Sequence, residues 1–174
     1  MNKRIFSILL ATFLIFSINN VIAQEEDKDT NVKLNQIAPN FSATTIDGQK
    51  IELSKLKGKV VLVNFFATWC GPCMTEMPYL EKDIWKKHKS DNFVLISLGR
   101  EHNMDEIVEF NKEKNFSFLL APDPGRKIYS LYADKYIPRN YLINKKGEII
   151  YQSKGFNEDE FKELKDLIKE KVNK

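Results

Sequence analysis

The sequence predicts an α/β fold, in which helices flank a central mixed β-sheet. In the middle of the chain, apolar β-branched segments alternate with amphipathic segments, which is typical of parallel strands joined by helices. Towards the C-terminus, residues 139–153 turn back near Lys146-Gly147 and are followed by a helical segment. That pattern adds an antiparallel hairpin to the sheet, so both strand directions are expected.

The first predicted elements are a hairpin, a buried strand and a helix. Residues 41–56 carry an Asp47-Gly48 turn between two short β-prone runs, which predicts an N-terminal hairpin. Residues 59–67 are almost wholly apolar, as in a central strand that is covered on both faces. The next segment is a helix that Pro78 is expected to kink. Its buried face is predicted from residues at helical spacing: Cys73, Met77, Leu80 and Ile84.

The second half of the chain continues the alternation. A second buried strand is predicted over residues 92–99, an amphipathic helix over 104–115 and a third strand over 116–121. A turn and a short helix follow over residues 123–133. The last helix is predicted to start after Asn157 as its N-cap, because acidic residues follow it directly. Its buried stripe is expected to contain Phe161, Leu164, Leu167 and Ile168.

Residues 1–23 have the layout of a secretory signal peptide. Lys3 and Arg4 precede an apolar run over residues 5–18, and the small residues before Ala23-Gln24 predict cleavage there. An uncleaved membrane anchor is the alternative, but the apolar run is shorter than the roughly 20 residues of a spanning helix. The mature protein is therefore expected to be exported.

Composition limits the remaining possibilities. The chain of 174 residues is 43% hydrophobic, which is sufficient for one domain with a sizeable core. Residues 24–33 are mostly polar and predict a flexible mature N-terminus, whereas residues 34–174 are expected to form that domain. The net charge of +3 is too balanced for a nucleic-acid-binding protein.

Cys70 and Cys73 are the only cysteines, and they lie where the buried strand gives way to a helix. A bond between them would close a very small loop, so it would be a poor structural staple. The helix N-terminus should lower the pKa of Cys70, and the thiolate is the nucleophile in disulfide exchange. Cys73, one turn further on, should be more buried and suits a resolving thiol. Gly71 would allow a partner backbone to approach, and Pro72 fits a first helical turn.

The motif WCGPC after an apolar strand, with Pro78 in the following helix, resembles the active site of the thioredoxin superfamily. Residues 136–150 are similar to the segment in which that family holds a cis-proline beside its disulfide. The resemblance implies that Ile137-Pro138 is the cis bond and that the backbone there pairs with the substrate. The N-terminal hairpin and the helix and strand inserted before the proline resemble the exported TlpA/ResA-type oxidoreductases, over residues 34–170. A thioredoxin-like fold with a hairpin extension and an α/β insertion is therefore expected.

The resemblance also implies roles for individual residues. Cys70 would attack a target disulfide and Cys73 would resolve the mixed disulfide, without a metal or an organic cofactor. Trp69 would cover the site and contact the partner, the alternative being a half-buried core aromatic. Glu76 occupies the place of a functional acid near the thiols, the alternative being an ordinary solvated glutamate. Asn64 stands where cytosolic thioredoxins carry a buried Asp, and it cannot titrate.

Three further residues have competing interpretations. Arg139 follows the proline where the family commonly has Thr. It either favours a thiolate or an acidic partner, or is a snorkelling surface residue, and the second interpretation is preferred. His88 and His102 lie far from the cysteines in sequence among polar residues, so both are predicted to be on the surface.

Other chemistries of the cysteine pair fit the sequence less well. A zinc site would need two further ligands, and the chain has no second C-x-x-C and no H-x₃₋₅-H motif. A peroxiredoxin-like thiol peroxidase would carry Pro and Thr or Ser where this chain has Val63 and Ala67. A disulfide oxidase or isomerase is the remaining alternative. Gly-Pro between the cysteines resembles the reducing members of the superfamily, which favours a reductase.

The predicted reductase acts on disulfides of exported proteins and is recharged by a membrane thiol electron donor. One such role, implied by the resemblance, is in cytochrome c maturation, where the haem-binding cysteines of the apoprotein must be kept reduced. The protein is expected to be a monomer in the periplasm of a Gram-negative bacterium and to have no nucleic-acid partner.

Overall fold

The computed structural model describes residues 28–90 and 92–173, so the predicted signal peptide and its cleavage site lie outside the described residues. Its strands are β1 (Ser42–Thr44), β2 (Lys50–Glu52), β3 (Val60–Phe66), β4 (Phe93–Arg100), β5 (Leu119–Asp123), β6 (Arg139–Ile143) and β7 (Ile149–Lys154). Its helices are α1 (Gly71–Tyr79), α2 (Met104–Lys114), α3 (Tyr129–Tyr132) and α4 (Glu158–Val172), with a 3₁₀ turn at Leu53–Leu56. No helix in this part of the chain is long and apolar enough to cross a membrane.

The central sheet has five strands in the order β5-β4-β3-β6-β7. The pairs β3–β4 and β4–β5 are parallel, whereas β3–β6 and β6–β7 are antiparallel. The predicted mixed sheet is therefore confirmed. The strands β1 and β2 form a separate antiparallel hairpin, and α2 with β5 is the unit inserted before Pro138. β3, all of whose residues are buried, lies in the middle of the sheet and ends just before the cysteines.

The two faces of β3 are covered by different elements. Val60, Leu62 and Phe66 pack in one core with apolar residues of α1, α2 and α4. Val61, Val63 and Phe65 pack in the other with the N-terminal hairpin region and α3. Alternation along a strand places successive side chains on opposite faces, so a strand that is buried on both faces needs two cores.

The helix after the cysteines is longer than α1 alone. Pro78 lies inside α1, where it has no backbone N–H to donate. The helix continues as a π-helical segment, Leu80–Trp85, and ends with a short α-helical segment, Lys86–His88. At the junction the Leu80 N–H donates to the carbonyls of Glu76 and Met77. The buried face predicted along this helix is confirmed on both sides of the proline, since Cys73, Met77, Leu80 and Ile84 are all fully buried.

Two segments differ from their sequence predictions. The third strand begins at Leu119 rather than residue 116, because the Ser117 N–H donates to Glu81 on the long helix instead of to a strand. The predicted flexible segment over residues 24–33 is tied to the domain in its described part. There the Asn31 N–H donates to the Tyr132 carbonyl, and the side chain of Val32 is buried in the core.

Candidate active site

The two cysteines form a disulfide at the N-terminus of α1. Cys70 is the N-cap residue, and its Sγ accepts a hydrogen bond of 3.2 Å from the backbone N–H of Cys73. Cys70 is 6% exposed and Cys73 is fully buried. The expected order of accessibility is confirmed: an incoming sulfur reaches Cys70 before Cys73. The N–H at the helix terminus would also stabilise a thiolate on Cys70.

The loop before β6 lies against this disulfide. The Ile137-Pro138 peptide bond is cis, as predicted. The carbonyl oxygen of Ile137 is 3.6 Å from the Cys70 Sγ. A disulfide sulfur carries no hydrogen, so this is a close contact and not a hydrogen bond. The cis-proline loop therefore places backbone polar groups beside the sulfur that a partner would reach.

The residues around Cys70 are open to solvent. Gly71 and Pro72 are exposed, and a Cβ built on Gly71 would meet no atom within 4 Å. The domain itself therefore does not require a glycine there. Trp69 is 62% exposed, so the interpretation of it as a half-buried core aromatic is wrong. Trp69, Gly71 and Pro72 therefore form a solvent-exposed surface next to the disulfide, and no other part of the domain covers it among the described residues.

Arg100, at the end of β4, packs against the ring of the exposed Trp69. Its guanidinium carbon lies 5.4 Å from the centre of the Trp69 ring and 5.2 Å from that of Tyr129. A cation over an aromatic face contributes about 0.5–1 kcal/mol at exposed sites. The exposed Trp69 is thus held through Arg100 to Tyr129, a fully buried residue.

Glu76 lies on α1, three residues after Cys73, and it is buried, with an exposure of 1%. The interpretation as an ordinary solvated glutamate is therefore wrong. Its Oε1 accepts a hydrogen bond of 2.6 Å from Asn140, and its Oε2 accepts one of 3.0 Å from Asn64. Burial raises the pKa of Glu76 to about 7, although the two amide donors oppose the shift. A carboxyl with a pKa near neutrality can both give and take a proton.

The partners of Glu76 belong to a polar row that crosses the sheet. Strand register pairs Asn64 with Ser97 on one side and with Asn140 on the other, and pairs Asn140 with Ser153. Hydrogen bonds join the row: Ser97 to Asn64 (2.9 Å), Asn64 to Asn140 (3.0 Å) and Asn140 to Ser153 (3.3 Å). The Glu76 carboxylate lies against this row and accepts hydrogen bonds from the side-chain amides of Asn64 and Asn140. A buried carboxylate is tolerated when such donors surround it.

Sequence inspection identified Asn64 and Glu76 but missed Ser97, Asn140 and Ser153. A signal was present in Asn64, the one polar side chain in β3. A polar group in a buried strand needs hydrogen-bond partners, and those partners must come from neighbouring strands or from the covering helix. The register that identifies them is not visible in a single sequence.

His102 is buried, so its predicted position on the surface is wrong. Its Nε2 accepts a hydrogen bond of 3.0 Å from the backbone N–H of Thr68, two residues before Cys70. Its Nδ1 is 3.7 Å from a carboxylate oxygen of Glu106. The histidine thus fixes the loop that leads into the disulfide, from the segment between β4 and α2.

Replacing His102 with leucine is expected to lower the free energy of unfolding by about 1–3 kcal/mol, because the Thr68 N–H loses its acceptor. His102→Gln offers an amide oxygen in place of Nε2 and should lose less. Denaturant unfolding of the oxidised proteins at constant pH measures both changes. Equal losses in the two variants would show that packing, and not the hydrogen bond, is the contribution of His102.

Arg139 is also buried, which contradicts its preferred interpretation as a surface residue. Its guanidinium donates to the carbonyl oxygens of Lys135 and Asp29 and to the hydroxyl of Thr30. Arg139 therefore ties the N-terminal segment to the loop before the cis-proline.

His88 is half-buried, with its ring centre 6.4 Å from that of Phe93, and partial burial lowers its pKa.

Comparison with known proteins identifies the family of this chain. The model of the Redoxin family matches residues 33–168. The chain belongs to the Redoxin family. Among its relatives, the thiol-disulfide oxidoreductase ResA of Bacillus thuringiensis subsp. konkukian is 32% identical over 155 residues, which cover 88% of this chain and 89% of that protein.

Solved structures of similar proteins show the same fold. A Bacteroides thetaiotaomicron protein, provisionally described as a protein disulfide isomerase, is 40% identical with a TM-score of 0.80, covering 84% of this chain and 94% of its own. StoA from Bacillus subtilis is 27% identical with a TM-score of 0.62, covering 73% and 96%. This Redoxin-family chain is therefore a TlpA/ResA-like member of the thioredoxin superfamily and a thiol-disulfide oxidoreductase.

Proposed function

We propose that this oxidoreductase acts as an exported reductase of protein disulfides through the Cys70–Cys73 pair. The observation that carries the proposal is the arrangement at Cys70. Its sulfur is the accessible one of the disulfide, and it accepts a hydrogen bond from a backbone N–H at the helix N-terminus. The same sulfur lies 3.6 Å from the carbonyl oxygen of Ile137, directly before the cis-proline. A partner sulfur can approach this position while its backbone pairs with the loop.

The reaction transfers two electrons and two protons from the enzyme dithiol to the target disulfide. The Cys70 thiolate attacks one target sulfur, so a mixed disulfide forms and the other target sulfur leaves as a thiolate. The Cys73 thiolate then attacks the Cys70 sulfur, which forms the Cys70–Cys73 disulfide and releases the second target thiolate. The protons of the enzyme dithiol end on the two target thiols. No metal or organic cofactor takes part.

Glu76 is the proposed proton carrier of this cycle. It follows Cys73 by three residues, so the two side chains project from one side of the helix. Its pKa of about 7 allows it to take a proton from a thiol and to return one at neutral pH. Trp69, Gly71, Pro72, Ile137 and Pro138 are the proposed substrate-binding residues. Trp69 and Gly71 flank Cys70 in sequence, and Pro72 lies between the cysteines. Ile137 and Pro138 form the loop whose carbonyl oxygen is 3.6 Å from the Cys70 Sγ.

Features of the sequence support the proposed cellular location and partners. The signal-peptide layout of residues 1–23 supports export, and a periplasmic location in a Gram-negative bacterium is proposed. An exported reductase loses two electrons per cycle, so a membrane dithiol carrier must reduce it again. Disulfides of exported proteins are the proposed substrates, and the haem-binding cysteines of an apocytochrome c are one candidate. The enzyme is proposed to act as a monomer.

A single-turnover experiment tests the proposal. The pre-reduced protein is mixed with an excess of a disulfide-containing protein, without any other reductant, and thiols on both proteins are counted by alkylation and mass spectrometry. One target disulfide should be opened for each Cys70–Cys73 disulfide formed. Thiols of the enzyme that persist while the target stays oxidised would contradict the reductase function.

A further inference from the structure

Tyr136 has an unusual backbone for a large aromatic residue. Its φ angle is +67°, in the left-handed region that favours glycine. The surrounding structure holds it there, because its carbonyl accepts a hydrogen bond of 2.6 Å from the hydroxyl of the fully buried Tyr129. A bulky residue retained in a conformation that glycine adopts freely is a reason to look for a function of its side chain.

The Tyr136 side chain does little for the fold. Tyr136 is 57% exposed, and the Lys154 ammonium lies over its ring, 5.4 Å from the ring centre. An exposed ring adds little to the core. The strained backbone and the exposed ring together indicate that the side chain serves a contact outside the domain.

Tyr136 is one residue away in sequence from a contact with the reacting sulfur. It precedes Ile137, whose carbonyl oxygen lies 3.6 Å from the Cys70 Sγ. Trp69 precedes Cys70 itself and is equally exposed. Trp69 and Tyr136, here called the aromatic pair, are both exposed large aromatic residues, and each directly precedes one of the two residues in the Cys70–Ile137 contact. In disulfide exchange the two sulfurs must come within bonding distance, so residues flanking the partner's cysteine approach the segments that carry this pair.

We propose that Tyr136 is a specificity-determining residue that, with Trp69, binds an apolar side chain flanking the reacting cysteine of the substrate. The inference rests on the proposed function, because it takes the occupant of this surface to be a disulfide partner. Aromatic rings combine a large apolar area with few rotatable bonds, so they bind such side chains at low entropic cost. The preferred substrate is then an extended segment with a large apolar residue next to its cysteine.

Two disulfide-linked peptide dimers of equal length test the inference. In one, leucine or phenylalanine flanks the cysteine; in the other, serine does. Their reduction is followed with a small dithiol as electron source, and KM and kcat are measured separately. The wild-type protein should show a KM about five- to ten-fold lower for the apolar peptide, the effect of one aromatic contact. Tyr136→Phe should keep this preference, and Tyr136→Gly should lose it with little change in kcat.

Stability measurements separate binding from folding. Tyr136→Gly releases the unfavourable φ angle, so its thermal midpoint should stay the same or rise. Asn115→Gly is the matched control, because Asn115 also has a positive φ but lies at the end of α2 as an exposed C-cap residue. It should leave both KM values unchanged. A Tyr136→Gly variant that keeps the wild-type preference would overturn the inference. Wild-type protein that reduces neither peptide would instead refute the proposed function, and the inference with it.

Discussion

Cys70→Ser is expected to abolish disulfide reduction, whereas Cys73→Ser is expected to trap the substrate as a stable mixed disulfide. The reason is the unequal exposure of the two sulfurs: Cys70 is 6% exposed and Cys73 is fully buried. Without Cys70 no accessible sulfur remains to attack. Without Cys73 the first exchange still occurs, but nothing next to the new bond can open it.

Electrophoresis without reductant and intact-mass measurement detect the trapped complex. After mixing with an oxidised protein, the Cys73→Ser variant should gain the mass of its partner, and a small dithiol should release it. The Cys70→Ser variant serves as the matched control and should form no complex. The reverse pattern, with trapping by Cys70→Ser alone, would show that the buried cysteine is the nucleophile and would exchange the proposed roles.

Glu76→Gln is expected to remove a pH-dependent loss of stability. An unfolded glutamate titrates near pH 4.5, whereas burial raises the pKa of Glu76 in the folded protein to about 7. Below pH 4.5 the group is protonated in both states, so its ionisation costs nothing. Between pH 4.5 and pH 7 the unfolded state has lost this proton, whereas the folded state still binds it. The free energy of unfolding therefore falls as the pH rises through this range, by roughly 3 kcal/mol in total.

The difference between two curves of unfolding free energy against pH measures the contribution of Glu76. Denaturant unfolding of the oxidised wild-type and Glu76→Gln proteins from pH 4.5 to pH 8 should give a difference that grows with pH in favour of the variant. Other titrating groups, including His88, contribute equally to both curves and cancel. A difference that does not change with pH would mean that Glu76 is ionised throughout this range, in contradiction to its raised pKa.

The same variant is expected to slow the resolving step at neutral pH. If Glu76 exchanges protons with the thiols, Glu76→Gln should lower the rate roughly ten-fold, which corresponds to about 1.4 kcal/mol in the barrier. The inflection near pH 7 in the rate profile should also disappear. Glu81→Gln is the matched control, because Glu81 is a buried glutamate on the same long helix that binds Ser117 instead. A slowed Glu81→Gln variant would assign the effect to helix stability.

Elements with strong local patterns were predictable from the sequence. β3 is apolar except for Asn64, and the final helix begins after Asn157, whose side chain caps two N–H groups as expected. The WCGPC motif and Ile137-Pro138 identified the disulfide and the cis bond through resemblance, and the structure contains both. Each of these features depends on residues that are close in sequence or that form a distinctive motif.

Features that depend on tertiary contacts were not predictable in this way. His102 and Arg139 look like surface residues because their sequence neighbours are polar, yet both are buried. The fold gives each a partner distant in sequence: Thr68 for the histidine, and Thr30 for the arginine. A polar side chain is buried when such a partner compensates its lost hydration, and a single sequence does not show which partner that is.

The equilibrium reduction potential of the Cys70–Cys73 pair tests the central claim most directly. It is measured by titration against a dithiol buffer, with Trp69 fluorescence and thiol alkylation as two independent readouts. A potential near −270 mV, about the level of thioredoxin, is expected for a reductase that a membrane dithiol carrier recharges. A potential near −120 mV, about that of strong disulfide oxidants, would reverse the direction of electron flow. A pair that does not cycle in the titration would contradict the redox function itself.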